Sequence, residues 1–284
     1  MTRSPSVASL AAEHPEWDAW LTLFGIARTA VDDPAWKAMV PAVAAEPEGR
    51  LPVIDRTTIT IDAARAAPLL DALLERARTA RVPETAVPSV LEAAITEDGE
   101  RLRALAVEAG ADVERFATAA ALAVMPILQR CREAWQDRVP AAYMDAACPI
   151  CGAWATLAEA RGLDQRLCLR CGRCGAEWSA AVVRCAFCGT TDHAQLGALV
   201  RETPGDTRRV DTCAACRAYV KTITTLTSCS PADVRLHDLA TVDLDVAALS
   251  EGYGRPPSPA HRLDVHVVAK APRSRRASLL RWRG

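Results

Sequence analysis

The sequence predicts an α+β protein, with an all-α N-terminal domain followed by two tandem metal modules of short antiparallel strands. Three observations point there. Residues 1–147 are alanine-rich and repeat apolar side chains at helical period. Residues 148–216 hold four C-x-x-C pairs: Cys148/Cys151, Cys171/Cys174, Cys185/Cys188 and Cys213/Cys216. The stretches between the pairs are rich in strand formers and broken by turn residues. The expected organisation is a helical domain over 1–145, metal modules over 146–180 and 181–230, and a C-terminal segment with a basic tail over 231–284.

In the first half, Trp17, Trp20, Leu21, Phe24 and Ala27 mark one face of a helix. Asp33-Pro34 suits the start of the next, with proline in the first turn. Residues 46–54 hold two prolines and a glycine and read as a loop. A short strand is expected at Thr57–Ile61. Pro68 is expected to open a helix running to Arg78, and Pro83 and Pro88 bracket a break. Further helices are expected over 89–96, 99–109 and 112–138, the last kinked by Pro126. His14, beside Pro15, reads as a surface or cap residue, and Cys131 as a small buried side chain.

The second half is organised by its thiols. Two cysteines three apart can place both sulfurs on one cation when the turn between them is tight. Gly152, Gly175 and Gly189 each follow a second cysteine and accept the positive φ that such a turn needs. Eight thiolates make two tetrahedral four-sulfur sites, suited to Zn²⁺ or to a single iron of rubredoxin type. The modules are therefore rubredoxin-like or zinc-ribbon-like. Residues 154–161 and 164–168 read as a hairpin, as do 193–201 and 207–210 around Pro204-Gly205. Each hairpin is followed by a further strand-like run, Trp178–Val183 and Tyr219–Leu226. On this repeat the first two pairs share one metal and the last two the other, with crossed pairing left open. Cys168, three before Cys171, could substitute in the second pair. It is otherwise a spare strand cysteine, as is Cys229, and His193 is not needed as a ligand.

Residues 234–249 suggest a helix with a short strand-like piece, followed by a Gly/Pro-rich exit at 251–259. From His261 the chain is basic, with Arg273, Arg275, Arg276, Arg281 and Arg283, and reads as a solvated tail.

Charge and composition narrow the function. The chain has 284 residues, half of them in the hydrophobic set, and a net charge of −1. No run approaches the ~18 apolar residues of a membrane span, and the N-terminus lacks an apolar signal core. A cytoplasmic protein without membrane contact is expected. Residues 1–147 carry 22 acidic and 15 basic side chains, whereas 148–230 carry 7 and 10. That mild basicity argues against a nucleic-acid-binding zinc ribbon. No phosphate-binding loop, nucleophile elbow or zinc-protease motif occurs, so no enzyme is expected.

These residues together resemble a family. The series Cys148-Pro-x-Cys151-Gly, Cys171-x-x-Cys174-x-x-Glu177-Trp178, Arg184-Cys185-x-x-Cys188 and Asp211-x-Cys213-x-x-Cys216-x-x-Tyr219-Val-Lys221 resembles the formate dehydrogenase accessory proteins of the FdhE type. Asp238-Leu-Ala240, Leu244-Asp245 and Glu251-Gly252-Tyr253 extend the likeness, which spans roughly residues 10–256. It departs at Leu169-Arg170, where some members carry a histidine, and Cys168 and the tail after Arg255 look like additions. The alignment at Trp178 favours Cys171/Cys174 as the second pair.

The resemblance implies a cytoplasmic maturation factor that binds the catalytic subunit of formate dehydrogenase before export. It also implies rubredoxin-like sites that hold iron or zinc. The four-sulfur sites and the nearby Cys168 separately suggest a release step responsive to redox state. A homo-oligomer is compatible with the sequence. Two other readings are a zinc-ribbon nucleic-acid binder and a rubredoxin-type electron carrier.

Overall fold

The computed structural model describes residues 4–43, 51–201 and 207–270. It has the expected α+β architecture, helical first and strand-rich second. The Pro204-Gly205 turn and the arginines beyond residue 270 lie outside the described residues, as does most of the 46–54 loop.

Helix α1 (Val7–Glu13) is opened by a Ser6/Ser9 capping box. His14 ends it and stacks on Trp17 with centroids 3.8 Å apart. Helix α2 (Asp18–Val31) buries Leu21, Leu23, Phe24, Ala27 and Val31, close to the predicted face. Strand β1 (Thr58–Ile61) alternates exposed and buried side chains.

Helix α3 (Ala63–Arg76) corrects one expectation. Its N-cap is Asp62, whose carboxylate accepts from the Ala64 N–H, and Pro68 lies inside the helix. The cap decides the start. Pro68 lies on the solvent side, so the proline removes no buried side chain from the helix face, although it forgoes the hydrogen bond to Ala64.

Helices α4 (Val87–Thr96), α5 (Gly99–Glu108), α6 (Val113–Ala123) and α7 (Met125–Trp135) complete the bundle. The predicted kinked helix over 112–138 is thus two helices. Val124 caps both, and Pro126 sits in the first turn of α7, where its missing N–H has no partner to lose.

The strand half forms one six-stranded sheet in the order β4-β3-β2-β7-β6-β5. The first module supplies β2 (Leu157–Arg161), β3 (Arg166–Arg170) and β4 (Glu177–Ser179). The second supplies β5 (Leu196–Val200), β6 (Arg209–Cys213) and β7 (Tyr219–Thr225). Within each module the pairing is antiparallel, but the modules join through a parallel β2–β7 pair, with Leu157 opposite Lys221. The run Trp178–Val183 is strand only as far as Ser179. Beyond it the chain must turn toward Cys185, which leaves Val182 and Val183 exposed.

Two short helices, α8 (Val234–Leu239) and α9 (Val242–Ser250), stand where one helix with a strand-like piece was expected. They cover one face of the sheet, where Val210, Tyr219, Leu244 and Ala248 pack together. The segment from His261, expected to be a solvated tail, instead crosses back to the helical half. Its strand β8 (His266–Ala269) pairs in parallel with β1. Val265 and Val267 are buried there, and the Val267 N–H donates to Glu92 on α4.

Candidate metal centres

Each C-x-x-C pair folds into the same knuckle. The first cysteine's N–H donates five residues ahead: Cys148 to Ala153, Cys171 to Ala176, Cys185 to Thr190 and Cys213 to Ala218, at 2.7–3.0 Å. In three knuckles a glycine with φ of +73° to +77° donates back to the first cysteine's carbonyl. The fourth knuckle has Arg217 in that place, at φ +59°. Its guanidinium donates to the carbonyls of Glu251 and Gly252 and lies 4.2 Å from the Tyr253 ring centroid. These contacts hold a residue that would otherwise resist positive φ.

The knuckles assemble in tandem and not crossed. Cys148, Cys151, Cys171 and Cys174 form one cluster, and Cys185, Cys188, Cys213 and Cys216 the other. Within each cluster all four sulfurs lie within 4.8 Å of one another. The Cys148–Cys174 and Cys151–Cys171 contacts are 3.5 Å, and the Cys185–Cys216 and Cys188–Cys213 contacts are 3.7 Å. A tetrahedron of sulfurs about 2.3 Å from a central ion has edges of about 3.8 Å, so both donor sets fit Zn²⁺ or a single iron. The clusters could therefore hold two metal ions. A bound ion would cross-link two knuckles and, with four thiolates, leave no open coordination position.

The thiols of each cluster sit in contrasting environments, some resisting deprotonation and some favouring it. In the first cluster burial drives Cys148 and Cys174 far up, while hydrogen bonds from the neighbouring thiols bring Cys171 down. In the second, burial pushes Cys216 up to about 12, and the Thr190 N–H brings Cys188 below its usual range. Backbone N–H groups point at the sulfurs in both, Arg173 to Cys171 and Phe187 to Cys185, each at 3.4 Å. They favour the thiolate.

Neither Cys168, Cys229 nor His193 joins a cluster among the described residues. Cys168 lies on β3 opposite Glu159 and is buried. Cys229 donates to the Glu159 carboxylate and touches the Arg170 guanidinium; burial, the larger influence, pushes its thiol up to about 12. Cys131 is buried on α7, as expected.

Two buried ionic networks escaped the sequence reading. Glu159, Arg161, Arg170, Glu177 and Ser228 interlock on β2, β3, β4 and the segment after β7. The fully buried Lys221 on β7 lies 2.8 Å from Asp238 and 2.6 Å from Asp245, which also receive Arg255. The Tyr219 hydroxyl donates to Asp245. The second network fastens α8 and α9 to the sheet. Its one signal in the sequence is that Tyr219, Lys221 and Ile223 alternate onto a single strand face.

The two clusters are linked across the molecule. Trp154, just after the first knuckle, meets Phe187 of the third edge-on, with centroids 5.6 Å apart. A groove of about 350 Å³ lies between the sheet, at Leu169 and Val220, and the 180–187 segment, and reaches Cys185 and Cys213.

Among curated proteins none matches the chain. The crystal structure of the FdhE protein from Pseudomonas aeruginosa is similar in fold, with a TM-score of 0.56 and 24% identity. The alignment covers 92% of this chain and 98% of that one. Residues 183–259 match the family described as FdhE, C-terminal domain. That stretch contains the whole second cluster, Arg217 and the Lys221–Asp238–Asp245–Arg255 network. The resemblance to the FdhE type carried by the cysteine knuckles is thus borne out, by sequence over residues 183–259 and by fold over most of the chain.

Proposed function

We propose that this protein is a non-catalytic accessory factor of formate dehydrogenase, which binds the catalytic subunit in the cytoplasm and supports its assembly before export. The observation that carries this reading is the FdhE C-terminal domain match over residues 183–259, on a chain with the FdhE fold and two assembled four-cysteine clusters. The eight cysteines hold two ions, iron or zinc, and each bound ion cross-links two knuckles. The protein then acts by presenting a shaped surface and not by turnover. An iron site could in addition change oxidation state and alter the affinity for the partner.

Co-expression of the tagged chain with a formate dehydrogenase catalytic subunit under anaerobic conditions tests this. The subunit should co-purify with the wild type and be lost with Cys185→Ser/Cys188→Ser. Failure of the wild type to retain it at any stage of cofactor loading would overturn the proposal. Partner affinity that ignores reductant, in protein holding only zinc, would remove the redox-responsive release step.

A further inference from the structure

The two clusters share their knuckle geometry but differ in how they are embedded. The first is sealed. Cys148, Cys151, Cys171 and Cys174 are 0–1% exposed and belong to the main hydrophobic core, together with Ile150, Leu169 and Trp178. The helical half clamps it: the N–H groups of Val53 and Ile54 donate to the Pro149 and Ile150 carbonyls at 2.8 and 3.1 Å. A Cβ on Gly152 would come within 3.1–3.2 Å of Pro52 and Leu263.

Charge is compensated there as well. Four thiolates around a divalent ion carry a net charge of −2, which needs cations when buried. Arg173 lies between the Cys171/Cys174 knuckle and the end of α4. Its guanidinium donates to the Ala94 and Ile95 carbonyls and pairs with Glu97 at 3.6 Å. Arg235 reaches the same knuckle and donates to the Gly172 carbonyl at 2.7 Å.

The second cluster has no such cover. Cys185 and Cys213 face the sheet, but Cys188 and Cys216 are exposed. Cys188 and Cys216 are the members of this cluster nearest solvent, so a ligand from solvent meets the cluster on that side first, and the excess charge there is closer to water than in the first cluster.

We propose that the second cluster is a metal-exchange centre for a soft divalent cation and that the first is a permanent one. This rests on the reading of both clusters as metal sites. Exchange proceeds by displacement from the Cys188/Cys216 side, each bond from the external ligand to the ion replacing one metal–sulfur bond. The ion passes to that ligand, and the four thiolates left behind take protons from water. No electron moves. Sealed behind α4, the 52–54 segment and Leu263, the first cluster offers no such approach without local unfolding.

The test uses the full chain loaded with two equivalents of Cd²⁺, its ion count followed by native mass spectrometry. A soluble chelator is then added in excess, and freed thiols are alkylated with N-ethylmaleimide and mapped. One ion should leave faster by on the order of tenfold or more, with label on Cys185, Cys188, Cys213 and Cys216 and none on the first four cysteines. The Cys188→Ser variant should retain a single chelator-resistant ion and wild-type helical content. Two ions leaving at one rate, or first labelling at Cys148, Cys151, Cys171 or Cys174, would overturn the assignment. A chain that takes up no ion would instead sink the metal reading beneath it.

Discussion

Single positions matter most where the knuckles meet their neighbours. Gly175 takes φ +77°, and a Cβ there would stand 2.4 Å from the Pro231 side chain and 2.8 Å from its backbone. Gly110 has a similar φ of +66°, with nothing within 4 Å of its imaginary Cβ. The pair separates backbone strain from steric clash. Gly110→Ala should cost about 1 kcal/mol, the strain alone. Gly175→Ala should cost about 3 kcal/mol or more, because the rigid Pro231 backbone has to move. Urea unfolding of the two variants measures the difference, and equal losses would contradict the clash. The C-G pattern in the sequence anticipated the positive φ at Gly152, Gly175 and Gly189. Arg217 carried no such signal, since its conformation depends on carbonyls 34 and 35 residues away.

Among the elements, α3 shows how a cap outweighs a breaker. Pro68 looks like a helix start, yet Asp62 supplies the better one six residues earlier, and the buried face of Ala66, Leu69, Leu70, Leu73 and Leu74 runs across the proline. Pro68 itself is exposed. Pro68→Ala should therefore restore the hydrogen bond to Ala64 and stabilise the fold by about 1–3 kcal/mol, read as a rise in Tm. No change, or a fall, would mean that the helix is already adapted to the proline. Strand β8, His266–Ala269, fell within the segment read as a solvated tail, because four residues with two valines amid charge carry little strand signal of their own. Its partner β1 lies some 200 residues away, and local pattern cannot report such a pairing.

For the molecule as a whole, the buried ionic networks couple stability to pH. Burial pushes the Asp245 carboxyl up, but bonds from Lys221 and Tyr219 and the charges of Lys221 and Arg255 outweigh it and hold it below its usual range. Glu159 and Glu177 behave likewise beside Arg170 and Arg161. A carboxyl depressed on folding contributes stability that is present above its unfolded value and is lost as pH falls through the folded one. These three should weaken the fold below about pH 4. His237 acts at higher pH. Burial, more than the charge of Arg170, holds it below its ordinary value against Glu159 and Asp233, so unfolding lets it gain a proton. Stability should begin to fall below about pH 6.5. His237→Gln should flatten the pH 5–7 part of the profile while leaving the steeper acid limb. Denaturant midpoints across pH 3–8 check both limbs, and an unchanged slope in the variant would exclude His237 as the source.

The sequence by itself determined the order of helix before strand, the eight thiols and the knuckle at each C-x-x-C. These follow from local rules: helical periodicity, the reach of two sulfurs across a tight turn, and the freedom of glycine at positive φ. It also carried the likeness to the FdhE type, because the knuckles and their flanking residues are contiguous. Only the tertiary structure decided that the knuckles assemble in tandem, that the two modules join through the parallel β2–β7 pair, and that the chain after His261 returns to β1. It alone seals one cluster in the core and leaves the other at the surface. The reason is distance along the chain. Burial of a thiol, an ion pair such as Lys221–Asp245 and the cover over a metal site are set by residues tens to hundreds of positions away, which no local pattern records.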